Sequence, residues 1–494
     1  MSEQSSPTFK QELGLLDSTL IVVGSMIGSG IFIVSADVLR QLGSPGYLLV
    51  AWIITGILTM IGALSYGELA GMMPKAGGQY VYLQQAYHPL VGFLYGWSLF
   101  LVIETGTIAA VAVAFARYSA ILFPFFDERN VIADLGFTKI STTQLLAGGA
   151  VIFLTWVNIQ GVREAKMVQR LFTFTKTAAL LGLVLLGLWV GLKSEFWAIN
   201  SESFWGPFQT KVESGKVVST APLSGWPLWS AFGLALVGPL FSSSAWNNIT
   251  YTAGEIKQPH KNIPLSLFWG TLIVSVLYIM ANVVYLMLLP AKGSPDAAEV
   301  VGRGIMFALN DRVGTAAAEM IFGTAGILIM TLFIMISTFG CDNGIILSGA
   351  RVYYAMAKDG LFLPRAGQLN KNGVPGFALI IQCVWTLLLC FSGTYGQLLD
   401  YVVFTILVFY ILTIGAVFVL RKKEPHTPRP YRALGYPVFP LIFILVGAAI
   451  SVDLLIYKPF TSWAGVIIVA TGIPVYYLIQ RTKRKYANHS ASTY

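Results

Sequence analysis

Residues 24–30 read Gly24-Ser-Met-Ile-Gly-Ser-Gly30, and they interrupt the first long apolar stretch of the chain. A second interruption, Pro239-Leu-Phe-Ser-Ser-Ser-Ala-Trp-Asn-Asn248, falls inside the sixth such stretch. Glycine and serine weaken a helix, and they let the backbone open where protein or water, instead of lipid, satisfies it. We therefore expect two broken helices at corresponding places in two halves of the chain.

A competing interpretation treats Gly24 and Gly28 as a G-x-x-x-G seam that packs one helix against another. The matching interruption in the sixth stretch, together with the additional Ser29-Gly30, favours an opened backbone. Paired broken helices of this kind indicate a transport site near the bilayer midplane.

The composition predicts an all-α polytopic membrane protein. Of the 494 residues 55% are hydrophobic and 11% are charged, whereas soluble domains carry roughly 25% charged residues. The net charge is +9, and most of the basic residues lie in short loops between apolar runs. Their distribution therefore reflects membrane topology, and we expect the lipid bilayer as a partner and no nucleic acid.

The sequence offers little for catalysis. Three cysteines lie inside apolar runs, and four histidines are scattered through loops and termini. No nucleophile elbow, phosphate-binding loop or H-E-x-x-H motif is found. We expect no enzyme activity, no metal and no cofactor, although a sensor that binds without transport stays open as an alternative.

We predict twelve membrane spans in one domain, 1–494, since about 20 apolar residues cross a bilayer. They lie near 14–41, 46–73, 90–122, 142–160, 168–192, 228–253, 263–289, 315–350, 374–393, 398–420, 436–456 and 461–480. The first run is read as a retained span, not a signal peptide, because its flank is acidic.

The distribution of basic residues predicts the orientation. Twenty of the 32 lysines and arginines fall on the side that holds both termini. Cytoplasmic loops are enriched in these residues. Both termini are therefore expected in the cytoplasm, with the protein in the cell membrane and the long loops 193–226 and 290–314 outside.

Opened helices suit one class of ligand. The N-terminus of a half-helix presents N–H groups and a partial positive charge, which favour a carboxylate. Carbonyl groups at the other half-helix end favour an ammonium group or another cation. An amino acid zwitterion, with its carboxylate and its ammonium group, is a ligand that needs both ends.

Further motifs resemble the amino acid–polyamine–organocation superfamily, and within it the L-type amino acid transporters of stand-alone bacterial type. They are Ser25-Met-Ile-Gly-Ser-Gly-Ile-Phe32, Gly43-Ser-Pro-Gly46, Tyr66-Gly-Glu-Leu69, Gly77-Gly-Gln-Tyr80, Val168–Lys176, Trp246-Asn247, Ser337-Thr-Phe-Gly340, Asn343-Gly344, Arg351 and Gly360–Pro364. The resemblance implies a LeuT-like fold of two inverted five-helix repeats, 14–192 and 228–420. Two additional helices, 436–480, and a cytoplasmic tail, 481–494, would follow.

The resemblance also implies a substrate site. Ser29 and Gly30 would hold the substrate carboxylate, and carbonyls of Met26, Phe241 and Ser244 would hold its ammonium group. Phe241 would close over the substrate from outside. The other candidates for substrate binding are Ser25, Ile27, Gly28, Ser242, Asn247, Ile103 and Thr107.

Lys176 lies near the middle of span five, where a lysine costs about 2.5–3.5 kcal/mol on insertion scales. Snorkelling to the interface is one explanation. The resemblance implies another, in which the ammonium group occupies a region where sodium-coupled relatives bind a cation. It would brace span one against span eight near Ser337, and transport would need no sodium.

Four acidic residues within or beside spans have open roles. Glu68, at a position that matches the family, is expected to be structural. Glu255 also matches the family, and it is expected either to be structural or to pair with Lys257 or Lys261 at an inner gate. Glu104 and Asp342 depart from the family pattern. Three roles are open for each of them: a hydrogen bond between helices, coupling of transport to protons, or contact with a cationic substrate.

These expectations combine into sodium-independent exchange of neutral L-amino acids by alternating access. Proton-coupled symport, including symport of cationic or polar substrates, is the alternative. The loop 123–141 contains no cysteine, so no disulfide-linked glycoprotein heavy chain is expected.

Overall fold

The computed structural model describes residues 9–134, 139–213, 216–392 and 395–491. Within these ranges, nine helices are long and apolar enough to cross a membrane. The predicted polytopic helical architecture is confirmed, and every predicted span coincides with a helix or an interrupted helix. The continuous helices are Pro45–Met72 (span two), Thr142–Gln160 (four), Val162–Gly191 (five), Pro259–Leu288 (seven), Ala325–Lys358 (eight), Gly376–Ser392 (nine), Tyr395–Lys423 (ten), Val438–Tyr457 (eleven) and Pro459–Ala491 (twelve).

Three spans are interrupted. Span one consists of Leu15–Met26, the 3₁₀ turn Gly30–Phe32, and Val34–Leu42. Span three consists of Pro89–Ser98, the π-helical segment Leu99–Ile103, and Glu104–Leu122. Span six consists of Gly225–Ala235, Val237–Ser242 and Asn248–Tyr251.

The connections carry short elements. The helices are Gln79–Ala86, Phe196–Glu202, Val300–Arg303 and Val313–Phe322, and the 3₁₀ turns are Pro124–Phe126, Ala253–Glu255, Leu309–Asp311 and Pro364–Gly367. Val131–Asp134 pairs with Lys139–Ser141, and Phe208–Glu213 with Lys216–Pro222, as antiparallel hairpins. The two long loops lie at the same end of the bundle, because the Asn200 amide donates to the carbonyl of Leu289 and accepts from the N–H of Ala291.

A tight turn reverses the chain between spans one and two. Gly43 ends the helix with φ 59°, and a Cβ atom there would lie 2.5 Å from Phe208 Cε1. The hydroxyl of Ser44 accepts from the N–H of Tyr47 at 3.3 Å and caps the next helix. Glycine is therefore required at this position for both its backbone conformation and its size.

The predicted bounds of span eight are wrong. Span eight was expected at 315–350, but the long helix is Ala325–Lys358 and Val313–Phe322 is a separate helix. Gly323, with φ 61°, separates them inside one continuous apolar run, so hydropathy alone hides the break. The segment expected as a cytoplasmic tail from 481 continues the last helix as far as Ala491.

The two broken spans lie at the centre of the packing. Span seven packs along spans one and two, and span eight packs along spans one, three and five. The interruptions of spans one and six are consequently enclosed by neighbouring helices. Opened backbone is tolerated at membrane depth only where protein or water covers it.

Candidate functional site

The helix of span one opens at the predicted place. It ends at Met26, and Ile27 is extended with φ −75° and ψ 93°. A single 3₁₀ turn, Gly30–Phe32, follows before the helix resumes. All of Ser25–Gly30 is buried, so the opened segment lies inside the protein and not against lipid.

The helix of span six opens between Ser242 and Asn248. Ala245 adopts φ 65°, a left-handed conformation that is costly for a residue with a Cβ atom. The N–H and hydroxyl of Ser244 both donate to the carbonyl of Phe241, at 3.0 and 2.6 Å. The Phe241 carbonyl, predicted to hold the substrate ammonium group, therefore already has protein donors in this conformation.

The two opened segments touch each other. A Cβ atom on Gly30 would lie 2.7 Å from Ser242 Cβ. The hydroxyl of Tyr278, from span seven, lies 2.9 Å from the carbonyl oxygen of Met26 and 3.2 Å from that of Ser242. Tyr278 is not predictable from the sequence, since a tyrosine in an apolar helix carries no positional signal.

Lys176 is buried and does not snorkel. Its ammonium group donates to the carbonyls of Gly24 at 2.5 Å, Ile27 at 2.7 Å and Ser337 at 3.2 Å. The hydroxyl of Ser337 also lies 3.0 Å from the Ile27 carbonyl and 3.2 Å from that of Gly28. Lysine and serine together connect the opened part of span one to span eight.

A polar cavity lies beside the break in span six, with a volume of about 20 Å³. This is room for about one water molecule. Of the predicted residues, Ile103, Glu104, Thr107, Ser244 and Asn247 line it. The remaining lining residues are Gln79, Tyr95, Ala245, Asn248, Tyr251, Ile345, Ile406 and Tyr410.

An apolar cavity of about 30 Å³ adjoins the polar one through Ser244. Phe241 lines it and is 9% exposed. The other lining residues are Thr59, Leu240, Trp246, Val403, Ile406, Leu407, Tyr410 and Phe443. The predicted residues Ser25–Gly30 and Ser242 line neither cavity, so the structure does not expose the span-one segment to an open site.

Asn247 is the centre of a hydrogen-bond network. Its amide nitrogen donates to Gln79 Oε1 at 3.0 Å and to the Tyr251 hydroxyl at 2.7 Å, and its oxygen accepts from Tyr410 at 2.8 Å. The Tyr251 hydroxyl is hydrogen-bonded in turn to Tyr95. Asn247 was predicted as a substrate contact, but its amide is largely occupied by these partners.

The predicted partner of Glu255 is wrong. Its carboxylate accepts from Arg351 at 2.8 and 3.1 Å, whereas Lys257 and Lys261 are exposed. The sequence does not indicate this pair, because Glu255 and Arg351 are 96 residues apart and lie in different spans. The backbone carbonyl of Glu255 also accepts from the N–H groups of Glu12 and Leu13, at 3.0 Å each.

The other three acidic residues differ in the partners of their carboxyl groups. Glu68 is paired with Arg421 at 2.7 Å and Arg429 at 3.3 Å, which fits the expected structural role. Asp342 is buried within electrostatic reach of Lys176, and its Oδ1 has no hydrogen-bond partner in the described part of the chain. Glu104 lies against Asn248 and Ser348.

Comparison with known proteins identifies the family of this chain. A family model described as amino acid permease matches residues 13–479. The mouse Large neutral amino acids transporter small subunit 2 is 32% identical over 470 residues, covering 95% of this chain and 81% of that protein. The Serine/threonine exchanger SteT of Bacillus subtilis (strain 168) is 30% identical over 478 residues, covering 96% and 98%.

A third relative, the human Asc-type amino acid transporter 1, is 29% identical over 473 residues, covering 95% of this chain and 82% of that protein. The family match extends from the start of span one almost to the end of span twelve. Both broken spans, Lys176 and the cavities lie within it. This chain is a multi-pass membrane protein that belongs to the amino acid permease family.

Proposed function

We propose that this protein exchanges neutral L-amino acids across the cell membrane by alternating access, without sodium. The observation that carries the proposal is the Lys176 ammonium group, which donates to carbonyls of Gly24, Ile27 and Ser337. A set of carbonyls already filled by an ammonium group has no room for a coupling cation. Relatives named as a neutral amino acid transporter and as an exchanger support the same activity.

In this proposal the opened segments hold the two charged ends of the substrate. Ser29 and Gly30 hold the carboxylate, and the carbonyls of Met26, Phe241 and Ser244 hold the ammonium group. The Met26 oxygen accepts from Tyr278 at 2.9 Å, and the Phe241 oxygen accepts twice from Ser244, so the substrate ammonium group competes with these donors. Because the polar cavity is only about 20 Å³, substrate enters after the two segments separate.

The ends of the bundle support alternating access. At the predicted cytoplasmic end, the buried Glu255–Arg351 pair and the chain at Glu12–Leu13 close the site. At the opposite end, a space of about 1030 Å³ lies beside Tyr118 and Arg312. We propose that the inner end is closed in this conformation, that the space at the opposite end is the outer approach to the site, and that Phe241 closes the site on that side once substrate has entered.

Purified protein in liposomes tests the proposal. Vesicles loaded with one neutral amino acid are diluted into a labelled one, with sodium or choline outside, and the unlabelled amino acids then compete in turn. We expect uptake that requires internal amino acid and is indifferent to sodium. Uptake driven by a pH gradient into empty vesicles would instead establish proton symport, with Glu104, Asp342 or Lys176 as the titrating group.

The protein is further proposed to act alone, with no disulfide-linked heavy chain, no cofactor and no catalytic activity. The loop 123–141 has no cysteine, and Cys341, Cys383 and Cys390 are buried. Both termini are placed in the cytoplasm by the distribution of lysine and arginine. Exchange by the single purified chain, and labelling of terminal cysteine tags from the cytoplasmic side, test these statements.

A further inference from the structure

Glu104 lines the polar cavity with a carboxyl group that has few partners. The residue is 3% exposed, and the ion pairs of the described residues do not include it. Its Oε1 accepts from Asn248 and Ser348 at 3.4 Å each. These distances are at the long limit of hydrogen bonding. Within the described part of the chain, no donor to its second oxygen is found.

The backbone directs this carboxyl group to the cavity. The π-helical segment Leu99–Ile103 ends immediately before Glu104, and the Thr105 hydroxyl donates five residues back, to Phe100, at 2.8 Å. Single π turns inside α-helices occur often at functional sites. On the other side, a Cβ atom on Gly349 would lie 2.6 Å from Glu104 Cγ, so span eight holds the side chain in place.

From this geometry we propose that Glu104 forms a side-chain subsite for neutral amino acids with a short, hydroxyl-bearing side chain. The inference rests on the proposed function and names its substrate class. The cavity holds about one water molecule, and a substrate hydroxyl would take the position of that water. The hydroxyl donates to the carboxyl group, and Asn248 or Thr107 supplies the polar surroundings.

An aliphatic side chain of the same size fits less well. It would displace water from the carboxyl group and leave a buried acceptor without a donor, which costs more than a weak hydrogen bond gains. The carboxyl group therefore discriminates between a hydroxyl and a methyl group by hydrogen bonding.

Threonine and valine, which differ by a hydroxyl in place of a methyl group, test the subsite. Each competes with labelled alanine for exchange in liposomes that contain the native protein. We expect threonine to compete about tenfold better than valine. In Glu104→Met we expect a threonine-to-valine ratio near one, and in Glu104→Gln an intermediate ratio because the amide oxygen still accepts.

The matched control is Glu319→Met, because Glu319 lies in the separate helix Val313–Phe322 and lines neither cavity. It keeps the native ratio. Where a variant exchanges too slowly, the shift in Tm on adding threonine or valine to detergent-solubilised protein gives the same comparison. Equal competition by threonine and valine in the native protein, or an unchanged ratio in Glu104→Met, overturns the subsite and leaves alanine exchange standing. Absence of exchange with any amino acid overturns the proposed function itself.

Discussion

The guanidinium group of Arg351 lies 2.8 Å from Oε1 of Glu255, and both side chains are 1% exposed. The pair joins the inner end of span six to span eight. The carbonyl of Glu255 also holds the backbone of Glu12 and Leu13. Three parts of the chain therefore meet at one residue, where the proposed inner gate closes.

Arg351→Met leaves the Glu255 carboxylate buried without its partner. Removing one member of a buried ion pair destabilises a protein by about 3–5 kcal/mol, while replacing both members by apolar residues costs far less. We expect a large fall in Tm for Arg351→Met and partial recovery in Glu255→Met/Arg351→Met. Thermal unfolding of the purified protein in detergent measures both effects.

Lys257→Met is the control for this pair, since Lys257 is exposed. We expect a Tm close to that of the native protein, as for most surface substitutions. A loss as large as that of Arg351→Met would contradict the assigned pairing. Lys257, which the sequence alone suggested, would then be the partner of Glu255.

Lys176→Met removes a charge that donates to three carbonyls, at Gly24, Ile27 and Ser337. Each charge-assisted hydrogen bond contributes about 1.5–3 kcal/mol. We expect exchange to fall at least about tenfold. We also expect exchange, which is proposed to need no sodium in the native protein, to become sensitive to sodium. Exchange measured in sodium and in choline checks this, with Ser337→Ala as the milder control because it keeps the Ser337 carbonyl. Unaltered exchange in both salts would contradict the role of Lys176.

Gly30→Ala places a methyl group against Ser242, 2.7 Å from its Cβ atom. We expect loss of exchange and a lower Tm, because the two opened segments are forced apart. Gly30→Ala/Ser242→Gly should recover part of the stability by making room. Gly182→Ala is the matched control in span five, where a Cβ atom meets nothing within 4 Å, and a helical alanine there is expected to be neutral or slightly stabilising.

These contacts show how far the sequence predicts the site. The breaks at Gly24–Gly30 and Pro239–Asn248 are predictable because glycine and serine runs interrupt apolar helices at fixed positions. The burial of Lys176 is predictable because a charge far from either interface needs partners inside the protein. Both features depend on local sequence and the membrane, not on which helices pack together.

The partners themselves are not predictable in this way. Tyr278 and Tyr410 sit in apolar helices, and only helix rotation decides that their hydroxyls meet Met26 and Asn247. The start of span eight was misplaced because Gly323 hides a helix break inside an apolar run. Contacts between distant parts of the chain follow from packing, which a single sequence does not specify.

The hydroxyl of Tyr278 is close to the carbonyl oxygens of both opened segments, 2.9 Å from that of Met26 and 3.2 Å from that of Ser242. In the proposed function the substrate ammonium group competes with it for the Met26 oxygen. Tyr278→Phe removes this competitor, so we expect a lower Tm without substrate and up to about fivefold tighter substrate binding, equivalent to ~1 kcal/mol. Binding of labelled amino acid to the purified protein measures the change. Tyr285→Phe, which removes a weaker bond of 3.3 Å to Ile31, is the control, and weaker binding by Tyr278→Phe would show instead that the hydroxyl helps to hold the substrate.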